Sequence, residues 1–470
     1  MNLAQAAQPS VSLALFFFAI YVLLAVGIGI QAARRESEED FMIAERRVKG
    51  LLIIGTMTAG MFDGAVLSIY IAYVYQFGFS AMWFFLGLSF GFLFFRSVAG
   101  RIKARADAVK AYSMPEYFYQ VFGRRCGIMF SIFLVTQFFG YLAVNFIISG
   151  KVLHSIFPAL PYTVAVAVGA AIILTYLILA GFKAVVRTDL YQLVIMIVMV
   201  VTVGAYLYKG TAIRSEDLDL TRMGAGNAIG FFVLSSFGIL VAPDLWQRVF
   251  AARDVRTVRY GFAYAASLLP ALALVITVVG LATKHYFPNL KSEDALVAGF
   301  AYLLPYGFRE FGLVLLYAVA LSSSDTVTFV VSSIFTRDFQ NYCSRYSEDS
   351  MRMLTRRFMI GFVVVAMVTA MLYSRILTLA FSLASLNLAL FPVVFGTLFW
   401  KLRERAVFWS LVATLLGVAV LCAGRSLTPE TATLSFPVAL VSLVALHLLW
   451  RRAARQDEPR SRAPAESERT

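Results

Sequence analysis

The chain has 470 residues, 60% of them hydrophobic and only 14% charged, whereas a soluble domain carries about a quarter charged residues, so most of its surface is not built for water. The net charge of +14 does not argue for nucleic acid, because the basic residues sit in short loops between apolar runs and no basic face with interleaved aromatics appears. Three widely spaced cysteines (Cys126, Cys343, Cys422) and three widely spaced histidines argue against a disulfide framework and against a structural zinc site.

A spanning helix needs about 20 mainly apolar residues. Such runs occupy 11–33, 51–77, 79–97, 126–152, 161–182, 189–208, 226–247, 259–283, 311–336, 357–374, 376–400, 405–424 and 432–450. The first lacks a basic segment ahead of it and is long enough to span, so it reads as a retained helix rather than a cleaved signal. With the N-terminus outside, most of the 41 Lys and Arg residues fall in inner loops or in the tail after Trp450, alternating loop by loop. The expectation is an all-α, multi-pass inner-membrane protein of about thirteen helices, N-terminus outside and C-terminus cytoplasmic. It forms one domain over 1–470, with a short polar tail at 451–470.

Three runs are interrupted. In the second, Ala59-Gly60-Met61-Phe62-Asp63-Gly64 sets a carboxylate between two glycines near mid-membrane. Five runs later, the stretch from Ser235 to Asp244 carries Gly238 and Pro243 where a simple spanning helix would not. Interrupted helices at equivalent positions of two five-helix units point to inverted repeats, and unwound backbone inside a membrane lines a cavity or lies buried in protein. Glycine and proline also serve plain helix packing, but Asp63 is costly at that depth unless it is paired or functional. The third interruption is the polar knot Leu321-Ser322-Ser323-Ser324-Asp325-Thr326 in the ninth run. Neighbouring hydroxyls there offer hard oxygen ligands to a small cation; back-bonding to carbonyls one turn earlier accounts for one of them, not for all.

These motifs resemble the sodium:solute symporter family, which includes proline, pantothenate, sialic acid and sugar symporters. The resemblance rests on Ala180-Gly-Phe-Lys-Ala-Val-Val-Arg-Thr-Asp189-Leu-Tyr-Gln192, on Asp244-Leu-Trp-Gln-Arg-Val-Phe-Ala-Ala-Arg-Asp254, and on the Ser322 knot followed by Ser332-Ser-Ile-Phe-Thr-Arg-Asp338. Phe41-Met-Ile-Ala-Glu-Arg-Arg47 and Met114-Pro-Glu-Tyr117 match two cytoplasmic loops, and the resemblance runs from about residue 35 to 405. It implies a LeuT-like core of ten helices, with a first inverted repeat at 51–208 and a second at 226–400. One extra helix at 11–33 would precede them and two at 405–450 would follow. It also implies a sodium site made of the carbonyls of Ala59, Phe62 and Val319 and the hydroxyls of Ser322 and Ser323. A second ion site would use Asp189, Asp325 and Thr326.

The chain departs from the family pattern at Arg187, Asp63 and Asp325. The extra acids leave the coupling ion open between sodium and a proton carried on Asp63, Asp189 or Asp325, and Arg187 is a candidate partner for Asp189. The expected solute lining is Gly60, Asp63, Gln137, Tyr141, Asn145, Ser235, Ser236 and Asn387. Gln137, Tyr141 and Asn145 share one helix face by their spacing of four, although each is equally suited to an interhelical hydrogen bond. The function implied is import of a small polar solute coupled to sodium by alternating access. The expected partners are the solute, the coupling ion and the bilayer, with no further cofactor, no other metal, no nucleic acid and no obligate protein partner. A transporter-like sensor is the lesser alternative, and the tail is too short for a kinase. No nucleophile–base constellation marks an enzyme.

Overall fold

The computed structural model describes residues 9–32, 46–48, 50–177, 182–210, 213–342, 348–373, 375–423 and 427–456. Residues 41–45 and 180–181 of the motifs above, Cys343 and the tail from 457 onward lie outside these. The described elements are helices: α1 (Val11–Ala32), α2 (Leu51–Ala59), α3 (Gly64–Phe77), α4 (Trp83–Val109), α5 (Met114–Phe122), α6 (Arg124–Ile156), α7 (Tyr162–Leu177), α8 (Phe182–Gly210) and α9 (Ala225–Val241). They continue as α10 (Pro243–Ala251), α11 (Val255–Tyr286), α12 (Ala295–Tyr302), α13 (Phe308–Tyr342), α14 (Glu348–Leu372), α15 (Ile376–Phe399), α16 (Glu404–Cys422), α17 (Pro429–Ala432) and α18 (Ser435–Gln456).

Each of the thirteen apolar runs falls on one of these helices or on a broken pair. Among the described residues nine helical stretches are long and apolar enough to cross a membrane, and the bent pair α9–α10 makes ten. The count differs from thirteen because it covers only 11–24 of α1 and 162–175 of α7 and takes α3 and α4 together as Gly64–Val109.

Burial sets the layers. The most apolar stretch of α13 is wholly inside the protein, while that of the α17–α18 segment is only 22% buried. A helix with apolar side chains all round and no exposed face belongs at the centre of a bundle, so α13 is the axis and α18 a peripheral helix.

Both broken helices have a local cause. Between α2 and α3, Gly60 follows the last turn and Asp63 adopts an extended conformation, its side chain accepting the Val66 N–H at 2.8 Å. The carboxylate replaces the missing intrahelical acceptor and so starts a new helix. Between α9 and α10 the axis turns by 43°. The turn falls at Ala242, four residues beyond Gly238, because Pro243 has no N–H to continue α9 and fits the first turn of α10. The start of the first pair and the end of the second are joined by backbone: Val48 N–H donates to the Ala251 carbonyl at 3.0 Å, and Arg253 N–H to the Val48 carbonyl at 2.9 Å.

One close approach fixes the first break against the axis. A side-chain carbon at Gly64 would lie 2.8 Å from Ala320 Cβ and 2.9 Å from Ala320 Cα, so only glycine lets α3 start flush on α13. Gly64→Ala is expected to destabilise the protein by about 1–3 kcal/mol through overpacking. Its apparent melting temperature in detergent should fall, while Gly361→Ala, where nothing lies within 4 Å, should leave it unchanged. Equal melting of the two variants would refute this close-contact role.

Candidate ion and solute site

The Gly64–Ala320 contact brings the first break beside the polar knot of α13. Of the knot's hydroxyls, Ser324 back-bonds to the Ala320 carbonyl at 2.8 Å, as one of them was expected to do. Ser322 instead donates to Gln192 Oε1 and lies 3.4 Å from Asp189 Oδ1 on α8. Ser323 reaches the other way, toward Asp63. Asp63 is fully buried and also accepts the Tyr141 hydroxyl from α6.

A second polar cluster lies below the breaks. The Arg248 guanidinium of α10 is completely buried and holds three elements at once. Its Nη1 meets Asp244 Oδ2 at 2.9 Å, its Nη2 meets Asp189 Oδ2 at 3.2 Å, and its Nε donates to Thr56 Oγ1 of α2 at 2.8 Å. The Thr56 hydroxyl donates in turn to Asp189. Gly60 admits the guanidinium, since a side-chain carbon there would lie 3.0 Å from Nη2. An arginine fork suits this task because it presents several donors in a fixed plane.

Between the breaks lies a cavity of about 190 Å³. Of the residues expected to line it, Gly60, Gln137, Tyr141, Ser235 and Asn387 do. Asp63, Asn145 and Ser236 do not: Asp63 sits behind the Tyr141 ring, Asn145 turns its amide to the Tyr141 carbonyl at 3.2 Å, and Ser236 bonds to the Val233 carbonyl. Asp244, Ser323 and Thr326 line it as well. Farther from the breaks, Tyr73, Phe84, Phe231 and Phe381 pack edge to face or tilted, with ring centroids 4.5–5.9 Å apart. Tyr73 stands nine residues beyond Gly64, about 14 Å along α3, so this aromatic cover lies at the far end of the cavity from the Arg248 cluster.

The residues expected to form a second ion site do not share one pocket. Asp189 is held by Arg248, Thr326 faces the cavity, and Asp325 is buried close enough to Tyr21 of α1 for their charges to interact. The ion-pair partner of Asp189 is Arg248 rather than Arg187, which lies only two positions away on the same helix and so on another face. Among the described residues no cluster of three or more His, Cys, Asp or Glu side chains suits a metal ion. The Arg248 network is what the sequence reading missed, because Arg248 counted there as an inner-loop charge. Its signal was the i, i+4 spacing of Asp244 and Arg248 inside a motif otherwise apolar.

Removing one partner of a buried ion pair leaves an uncompensated charge and costs about 3–5 kcal/mol. Arg248→Gln should therefore lower the melting temperature sharply, and adding Asp189→Asn and Asp244→Asn should restore much of it. A multiple variant as unstable as the single one would show that packing, not charge, holds the cluster.

Comparison with known proteins places this geometry. The sequence profile of the sodium:solute symporter family matches residues 41–414. The osmoregulated proline transporter OpuE of Bacillus subtilis is 23% identical over 87% of both chains. A sodium/proline symporter of Staphylococcus aureus is 24% identical over 68% of this chain and 67% of its own. A solved structure described as the substrate-bound outward-open state of a Na+-coupled sialic acid symporter superposes with a TM-score of 0.81 at 14% identity, covering 93% of this chain and 98% of that one. The L-phenylalanine complex of MhsT superposes with a TM-score of 0.56 at 12% identity, covering 88% and 99%.

Proposed function

The chain belongs to the sodium:solute symporter family, and from that premise we propose how it works: sodium binds at the first helix break and drives uptake of a small polar solute from the central cavity. The protein is a multi-pass, LeuT-like membrane protein. The observation that supports the reading is the Gly64–Ala320 contact, which brings the first break beside the α13 knot that carries Ser322 and Ser323. The ion takes the carbonyls of Ala59, Phe62 and Val319 and the two hydroxyls, an all-oxygen set suited to a hard cation. We place the protein in the inner membrane, N-terminus outside, with repeats at 51–208 and 226–400 and no cofactor beyond the coupling ion.

In this reading the aromatic cover lies on the outer side of the cavity, and Arg248 with the Val48–Ala252 bridge on the inner side. Opening inward requires α2 to leave Arg248. Thr56 is the only residue of α2 that the guanidinium bonds among the described residues, so α2 is the element that yields while Asp189 and Asp244 keep their partner. Ion and solute couple because each binds one arrangement of these ends better than the other.

A ligand of the folded state raises its melting temperature in proportion to the logarithm of its concentration. Sodium should stabilise the purified protein relative to potassium. Ser322→Ala and Ser323→Ala should each raise the sodium concentration for half-maximal stabilisation about tenfold, the loss of one good ligand. In proteoliposomes, uptake of a solute found by the same melting assay should follow a sodium gradient. Uptake that ignores sodium and follows a pH gradient would favour proton coupling instead.

A further inference from the structure

The lining of the cavity identifies the class of solute, an inference that rests on the symport reading above and deepens it. Half-helices that meet at a membrane cavity end in free N–H groups, and these ends attract an anionic group of the solute. Here both ends are already occupied by the chain's own acids. Asp63 caps α3 through the Val66 N–H at 2.8 Å, and Asp244 stands in the first turn of α10.

Two of the lining hydroxyls have committed their protons. Tyr141 donates to Asp63 and Ser235 to the Phe231 carbonyl at 2.7 Å. A hydroxyl that has spent its proton offers only lone pairs. Asn387 turns its amide nitrogen to the Gly238 carbonyl at 3.5 Å, while its Oδ1 and the Oε1 of Gln137 are buried without a partner. No described lining residue is Lys, Arg or His, and the Arg248 donors are held by Thr56, Asp189 and Asp244. The remaining wall is apolar, with Phe138 and Leu234 among its larger members.

We propose that the solute is an organic amine carried as its ammonium form, with an apolar body, and that the cavity rejects a carboxylate. The ammonium donates to Asp244 and to the oxygens of Tyr141, Gln137 and Asn387, and the body packs on the aromatic side. Asp63 acts through the Tyr141 hydroxyl, whose proton it holds. A solute carboxylate would instead meet only uncharged donors, the Gln137 amide and the Thr326 hydroxyl, with the Asp244 carboxylate beside them.

The test is a melting assay on the purified full-length protein at pH 7, in sodium chloride and in potassium chloride. The probes are butylamine, phenethylamine, N-acetylphenethylamine, L-phenylalanine and L-proline. The amines are protonated at this pH and should raise the melting temperature in sodium, whereas the acetylated compound and the two amino acids should not. If sodium stabilises but the amines are silent, or the amino acids outbind them, the amine assignment falls while the symport reading stands. If sodium itself does nothing, the symport reading falls and takes the assignment with it. Asp63→Asn keeps the cap of α3, so the variant's preference among the probes can be read on a folded protein. Removing the charge behind the Tyr141 hydroxyl should weaken amine binding about 10- to 100-fold relative to wild type, and L-phenylalanine should gain. An unchanged preference between phenethylamine and L-phenylalanine in this variant would remove Asp63 from the mechanism of selection.

Discussion

The guanidinium of Arg248 is the constraint on which the rest of the structure turns. It is completely buried, so its charge is tolerable only because Asp189 and Asp244 surround it with matched geometry. Through those contacts, and through Thr56, one side chain ties α2, α8 and α10 together. A buried charge of this kind adds little net stability compared with an apolar residue. What it adds is definition: the two broken helices meet in one arrangement, because any other leaves a charge without a partner.

From that junction the site follows. Gly60 is required to let the guanidinium approach the break, and Gly64 to let the next helix start against Ala320. The two glycines bracket the turn between α2 and α3, which lies beside the polar knot of α13. Asp63 both starts α3 and accepts the Tyr141 hydroxyl, so one carboxylate organises the break and the cavity wall. Close contacts of this sort are bistable rather than continuously deformable, which suits a device that must alternate between two closures.

Much of this was legible in the residues. Length and hydropathy located the apolar runs, each of which falls on a helix or a broken pair, since about 20 apolar residues in a row match the thickness of a bilayer's hydrocarbon core. The breaks at Gly60–Asp63 and near Pro243 were visible because glycine, proline and acids are conspicuous in an apolar setting. Harder to read was direction. Tyr141 and Asn145 share a helix face by spacing, yet Tyr141 lines the cavity while Asn145 bonds back to its own helix. Ser235 and Ser236 likewise part company, because consecutive positions on a helix point about 100° apart. Spacing says which residues travel together on a helix and leaves open what the face meets.

Arg248 shows the deeper reason. Its sequence position, at the end of an apolar run and among other arginines, matches the pattern of a cytoplasmic loop charge. Only the bend at Ala242 turns α10 back under the bundle and carries the residue inside. The bend depends on Pro243, and the burial depends on Asp189, about sixty residues earlier in the chain. A local reading weighs a charge by its neighbours in sequence, whereas its role here is set by a partner on another helix. The same logic applies to Asp63: as an isolated acid in a membrane helix it is a penalty, and beside Val66, Tyr141 and Ser323 it is the cap, the anchor and the selector at once.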